Sequence, residues 1–232
     1  MTSKTQQNLS LYLSPIEPMR VKETAAFREI NSAADDMLAL GTHRFRTVMA
    51  DPPWRFQNRT GKMAPEHRRL SRYGTMDLSE IQDLPVAQLV EKDAHLYLWV
   101  PNALLPDGLE TMRRWGFRYV SNIIWYKTRK DGGPDGRGVG FYFRNVTELL
   151  LFGVRGSMRT LSPGRRQTNI IVSRKAGHSV KPDEQYRIIE GCSPGPFLEM
   201  FARRSRKGWT QLGDEAPAVS HENASPPVRV VK

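Results

Sequence analysis

The sequence predicts a doubly wound α/β fold on a mostly parallel sheet, and three observations carry that prediction. Short apolar runs alternate with helix-like stretches, several of these runs are apolar at consecutive positions, and the tetrapeptide Asp51-Pro52-Pro53-Trp54 directly follows one of them. Strands that are apolar on both faces belong to sheets covered by helices on each side, and such sheets place ligands beyond the C-terminal ends of their strands. The predicted strands are Thr47 to Ala50, His95 to Val100, Tyr119 to Tyr126, Thr147 to Val154, Asn169 to Val172 and Phe197 to Phe201. Asp77 to Leu89 reads as a helix opening on an Asp cap with Glu80 in a capping box. Ala103 to Trp115 and Pro182 to Glu190 show helical apolar spacing, the latter with Pro in its first turn. No internal repeat is visible, and no Gly-x-Gly-x-x-Gly opens a helix after a strand, which argues against a dinucleotide site.

A chain of 232 residues can bury one substantial core. The folded domain is expected over residues 21–215, with a flexible N-terminal segment at 1–20 and a disordered tail at 216–232, both poor in periodic apolar residues. No apolar run approaches the roughly 18 residues of a membrane span, and the N-terminus does not read as a secretory signal, so a cytoplasmic protein without a membrane partner is expected. Cys192 stands alone, which excludes an intramolecular disulfide and a thiolate metal cluster; five scattered histidines, His178 among them, give no metal spacing, so no metal is expected.

Charge says more about partners. The formal net charge is +11. Gly153 to Lys181 contains seven basic residues and no acidic one, and Arg55 to Tyr73 contains six against Glu66 alone. Both stretches carry turn-forming residues, so they read as loops facing a polyanion rather than as an amphipathic helix on lipid. Nucleic acid is the expected partner, with phosphates met by the basic stretches Arg155 to Lys175 and Arg55 to Arg72.

The tetrapeptide carries the chemistry. Consecutive prolines fix two φ angles and restrict the residue before them, so Asp51 and the Pro52 carbonyl are held at little further entropic cost. An adenine amine is a poor nucleophile because its lone pair is delocalised into the ring. Two rigid acceptors, a carboxylate and a carbonyl, can draw its hydrogens out of plane and localise that pair. Trp54 and Tyr73 are candidate walls against which an extruded base would stack. Trp99, Trp115 and Trp125 read as core aromatics. Lys181 stands at a helix start, where the dipole disfavours a cation, so the position calls for some compensating reason.

Asp-Pro-Pro-Trp after a strand is followed by Tyr73-Gly74-Thr75-Met76, Leu96-Tyr97-Leu98-Trp99-Val100, Ile123-Ile124-Trp125-Tyr126-Lys127-Thr128 and Lys181-Pro182-Asp183-Glu184. In this order the pieces resemble the MT-A70 family of adenine-N6 methyltransferases, over about Ala34 to Glu215. The resemblance implies a permuted class I (Rossmann-like) fold, S-adenosylmethionine as cofactor, and a catalytic loop of Asp51, Pro52, Pro53 and Trp54. It further implies that Tyr73, Glu148 and Lys181 line the acceptor site, and that Asp35, Asp51, Arg203, Arg206, Asp214 and Glu215 contact the cofactor. The chain departs from the family's pattern after Arg203, where Arg204-Ser205-Arg206 replaces a more usual Pro-His-Asn and the following loop is shorter.

The function expected from these residues is adenine-N6 methylation of nucleic acid. DNA is favoured over RNA because a lone compact catalytic domain of this family looks like bacterial or phage proteins. The alternatives are an RNA methyltransferase and a non-catalytic nucleic-acid-binding subunit. An amide or small-molecule methyltransferase is disfavoured by the Asp and Trp of the tetrapeptide and by the basic loops. Action as a homodimer or with a related subunit stays open.

Overall fold

The computed structural model describes residues 33–55, 76–136, 142–177 and 180–213. The terminal segments 1–20 and 216–232 and the loop residue His178 lie outside the described residues. Seven strands form one sheet: β1 (Phe45–Ala50), β2 (Val90–Val100), β3 (Arg118–Thr128), β4 (Thr147–Arg155), β5 (Ile170–Arg174), β6 (Phe197–Met200) and β7 (Trp209–Leu212), in the order β5-β3-β4-β2-β1-β6-β7. Four of the six neighbouring pairs are parallel; β4 alone runs against both its neighbours, β2 and β3.

Side chains alternate across a strand, so each strand feeds two cores. Val48, Ala50, Leu96, Leu98, Val100, Leu151, Leu198 and Met200 face one way, onto residues of α1 (33–39), α2 (Leu78–Gln82), α3 (Val86–Leu89) and α4 (Leu105–Arg114). Met49, Tyr97, Trp99, Trp125, Leu150 and Ile171 face the other way, onto Tyr186, Ile188, Ile189 and Cys192 of α5 (Glu184–Cys192). Helices on both faces make the sheet doubly wound, as the consecutive apolar runs predict. Among the described residues no helix is long and apolar enough to cross a membrane.

Every predicted strand forms, but boundaries shift. β2 begins five residues before His95, and β7, unforeseen as a strand, adds a parallel edge beside β6. The helix expected over Asp77 to Leu89 is two short helices, because Pro85 has no amide hydrogen to donate and disfavours helical geometry at Leu84. Its capping box is present, with Glu80 Oε2 accepting the Asp77 amide at 2.6 Å. α5 starts at Glu184 with Asp183 as its N-cap, so Pro182 lies just ahead of the helix rather than in its first turn.

Because β1, β2 and β6 are parallel, their C-terminal ends emerge at one edge of the sheet. The reversed β4 brings its first residues, Thr147 and Glu148, to that same edge, opposite Tyr126 and Trp125 of β3. The layer of α4 is set by close approach: a Cβ at Gly108 would stand 2.6 and 2.7 Å from the two Cγ atoms of Val100. Gly108→Ala therefore destabilises the protein by roughly 1–3 kcal/mol despite the better helix propensity of Ala. In thermal unfolding, Gly108→Ala combined with Val100→Ala loses less than the sum of the single losses, since the new methyl fills the vacated space. Additive losses would show that the two sites do not touch.

Candidate active site

The site is built where β1 ends. Ala50 is fully buried, and the chain then turns through Asp51 and the buried Pro52. The turn closes on itself, with the Trp54 amide donating to the Pro52 carbonyl at 2.8 Å. One lone pair of that carbonyl is thus used and the other remains. Trp54 is 6% exposed, and its indole Nε1 donates to the Trp99 carbonyl at 2.8 Å. It anchors the loop to β2 from within the core and offers no open face to a base, contrary to the expectation of a stacking wall. Trp54 also forms a parallel bridge with Met76, and Arg55 pairs with Asp77, so the chain leaves and re-enters this region at adjacent points.

Four alternating charges follow. Lys181 Nζ donates to both Asp51 oxygens at 2.8 Å and lies 3.5 Å from Glu148 Oε2, while Lys127 Nζ pairs with Glu148 Oε1. The side chains of Lys181 and Lys127 are 13% exposed, those of Asp51 and Glu148 25% and 29%. Each ammonium lies over an indole, Lys181 at 5.2 Å from the Trp99 ring centre and Lys127 at 4.9 Å from that of Trp125, within range of cation–π attraction. Burial pushes the Lys181 ammonium toward losing its proton, but the charges of Asp51 and Glu148 outweigh this and hold its pKa above the usual lysine value. For Glu148, burial acts upward and the two ammoniums outweigh it, leaving its carboxyl below the ordinary glutamate range.

A second polar network lies beside the first on β6, β7 and α5. Glu199 accepts from Tyr186 Oη at 2.9 Å and from Gln211 Nε2 at 2.6 Å. Burial raises its pKa, and the nearby Asp51 charge adds to the rise. At the tip of β6, Phe201 takes φ +63°, a left-handed backbone that is strained for an aromatic residue and recurs at functional sites. The strand ends are pressed together there, since a Cβ at Gly213 would stand 2.2 Å from the Ala202 carbonyl oxygen.

The structure brings Asp51, Pro52, Glu148 and Lys181 together and places Arg203 close enough for its charge to oppose that of Lys181. Lys181 precedes the first residue of α5 by three positions, and its compensation comes from two carboxylates. Arg206 is turned elsewhere: its guanidinium pairs with Glu190 at 3.0 Å and lies 4.1 Å from the Tyr186 ring centre. Asp35 is exposed on α1, and among the described residues nothing ties it to the cluster. Tyr73, Asp214, Glu215 and the basic residues from Arg59 to Arg72 lie outside the described residues. Trp99, Trp115 and Trp125 are core aromatics, each at most 1% exposed. Lys127 and Glu199 were missed by sequence reasoning; the available signals were a lysine directly after the apolar run Ile123 to Tyr126 and a lone carboxylate within the short apolar strand β6. The basic stretch Arg155 to Lys175 does not form one surface. Arg174 pairs with Thr128 at the site's edge, whereas Arg155 pairs with Ala94 toward the far end of the sheet. Among the described residues no His, Cys, Asp and Glu group could hold a metal ion.

A mostly parallel, doubly covered sheet with its charged cluster beyond β1 defines the class of Rossmann-like methyltransferases. The chain belongs to the MT-A70 family, whose model matches residues 45–215. It is 32% identical over 188 residues to the human N(6)-adenosine-methyltransferase catalytic subunit METTL3, covering 79% of this chain and 30% of that protein. It is 33% identical over 188 residues to the Drosophila melanogaster N(6)-adenosine-methyltransferase MT-A70-like protein, covering 79% and 28%. It is also 25% identical over 208 residues to the type II methyltransferase M.MunI of Mycoplasma sp, covering 82% and 85%. The chain thus spans less than a third of the first two relatives. MT-A70 methyltransferases use S-adenosylmethionine as methyl donor.

The charge cluster makes a titration testable. Glu148, with its pKa lowered on folding, contributes stability that is present above its unfolded value of about 4.3 and is lost as pH falls through the folded one. Lys181, with its pKa raised, contributes stability that is present below about 10.4 and is lost as pH rises through its folded value. Lys181→Met removes the larger attraction on Glu148, so a carbon-13 NMR titration of the Glu148 carboxyl should move upward. An unmoved titration would mean that Lys181 does not govern that carboxylate.

Proposed function

We propose that this chain transfers the methyl group of S-adenosylmethionine to the exocyclic N6 amine of adenine in nucleic acid, with DNA as the polymer. One observation carries the reading: a carboxylate gripped on both oxygens by one ammonium is followed directly in the chain by a carbonyl fixed by consecutive prolines, just past the end of β1. That is the acceptor pair a delocalised amine needs. Lys181 holds Asp51 ionised and oriented, and each carboxylate oxygen keeps lone-pair capacity for an amine hydrogen. Asp51 and the Pro52 carbonyl accept the two hydrogens and localise the nitrogen pair. The N–C bond forms as the S–C bond breaks, and the nitrogen, cationic at that point, gives its excess proton to Asp51 or to water.

The residues present fit the donor. S-adenosylmethionine carries a carboxylate, an ammonium and a sulfonium, and the site offers Lys181 beside the carboxylates of Asp51 and Glu148 at the strand edge where such folds bind cofactors. Bound there, it supplies an electrophilic methyl group. Arg203, with Asp214 and Glu215 by family resemblance, would hold it; Arg206 is engaged with Glu190 and is not needed for this. Tyr73 would stack on the base.

DNA is supported by the likeness to a type II methyltransferase, 85% of whose length the match covers. RNA is the second reading, since the relatives with the higher identities are named N(6)-adenosine-methyltransferases. Transfer of labelled methyl to unmethylated duplex DNA and to matched RNA, followed by nucleoside analysis, separates them. Asp51→Asn should retain donor binding and lose at least about a hundredfold in turnover. Turnover retained by Asp51→Asn would sink the mechanism, and binding without transfer by the wild type would favour a scaffold subunit.

A further inference from the structure

Strand direction splits the chain's positive charge between two ends of the molecule. Glu148 sits at the active-site edge and Arg155 seven residues further along the same strand. At about 3.3 Å per residue that is about 23 Å. The next strand over, β3, begins at this far edge with the exposed Arg118, whose neighbour across the ladder is Val154. Past Arg155 the chain carries exposed Arg159 and then the turn Pro163–Arg166, with Arg165 and Arg166 both exposed. That turn is fixed at the same end by the C-terminus of α5, where the Leu161 amide donates to the Cys192 carbonyl at 2.8 Å.

The acidic groups at this end are largely spoken for. Asp93 accepts from the Ser157 amide and hydroxyl and lies near Lys92 and Arg46, and Glu110 and Asp83 are paired with Arg113 and Arg114. Glu190 is taken by Arg206 and Trp209. Exposed Glu91 is followed directly by Lys92. Arg118, Arg159, Arg165 and Arg166 are exposed and form no ion pair with any described residue.

We infer that this far edge is a second phosphate-binding surface, which holds nucleic acid at a place remote from the adenine being methylated. The inference rests on the reading that the substrate is a nucleic-acid polymer. A distance of about 23 Å corresponds to about seven base-pair steps at 3.4 Å each, and the helix layers stand between the two ends. Phosphates held at the far edge therefore belong to nucleotides well removed from the target base or to another segment of a long polymer. The surface raises affinity for long substrates and leaves the chemical step alone.

The test combines Arg118→Gln, Arg159→Gln, Arg165→Gln and Arg166→Gln and measures how binding depends on salt. Each lost duplex phosphate contact lowers the log–log salt slope by about 0.9. The combined variant should lose at least about two units of slope on a duplex of several hundred base pairs. On a hairpin of about six base pairs, too short to reach the far edge, slope and kcat should match wild type. The four matching Arg→Lys changes keep the charge and should keep the slope, which excludes a folding defect as the cause. An unchanged slope on the long duplex overturns the inference, as does an equal loss on the hairpin, which would place these residues at the active site. If wild type shows the slope difference between long and short substrates but transfers no methyl group, the second surface stands and the catalytic reading falls.

Discussion

The site depends on one ammonium between two carboxylates. Asp51 comes from the end of β1 and Glu148 from the start of β4, so they are held side by side by strands on either side of β2. Two partly buried carboxylates so placed repel each other, and Lys181 converts that repulsion into mutual attraction. Its own placement is inherited from α5, three residues later. Trp99 Nε1 donates to Gln185 Oε1 at 2.7 Å, which fixes the first turn of α5 against β2. The same indole lies under the Lys181 ammonium, and its backbone carbonyl receives Trp54. One residue of β2 thus supports the helix, the cation and the Asp51–Trp54 turn.

The two-faced sheet explains why the charges lie where they do. Met49 faces the α5 layer, so two positions later Asp51 points toward the same side, as do Trp99 and Trp125 under the two ammoniums. The reversal of β4 is what puts Glu148 in reach, since a parallel strand would have brought its other end, Arg155, to this edge. A cation there would have left Lys181 with a repulsive neighbour in place of an attractive one.

Much of this was legible in the sequence. Apolar runs located six strands, and the tetrapeptide after TVMA pointed to the strand end where the structure gathers Asp51, Lys181, Glu148 and Lys127. The unfavourable position of Lys181 at a helix start called for some compensating reason, and the structure supplies one in the carboxylates of Asp51 and Glu148. What could not be read is what depends on long-range register. Lys127 meets Glu148 only because β3 pairs antiparallel with β4, and periodicity within one strand carries no information about its neighbour's direction. The same ignorance made the basic stretch from Arg155 to Lys175 look like one surface. Trp54 misled for a related reason: an aromatic residue in a turn is equally suited to stack on a ligand or to pin the turn, and only the Trp99 carbonyl decides between them. Pro85 divides the stretch Asp77 to Leu89, which was expected as one helix, into two.

The bridge between Trp54 and Met76 brings the two ends of the intervening segment to adjacent points, and the Asp51–Trp54 turn is secured to β2 just ahead of them. Loop closure charges little for added length, so a change of length between these ends costs the anchorage of Asp51 and Pro52 little.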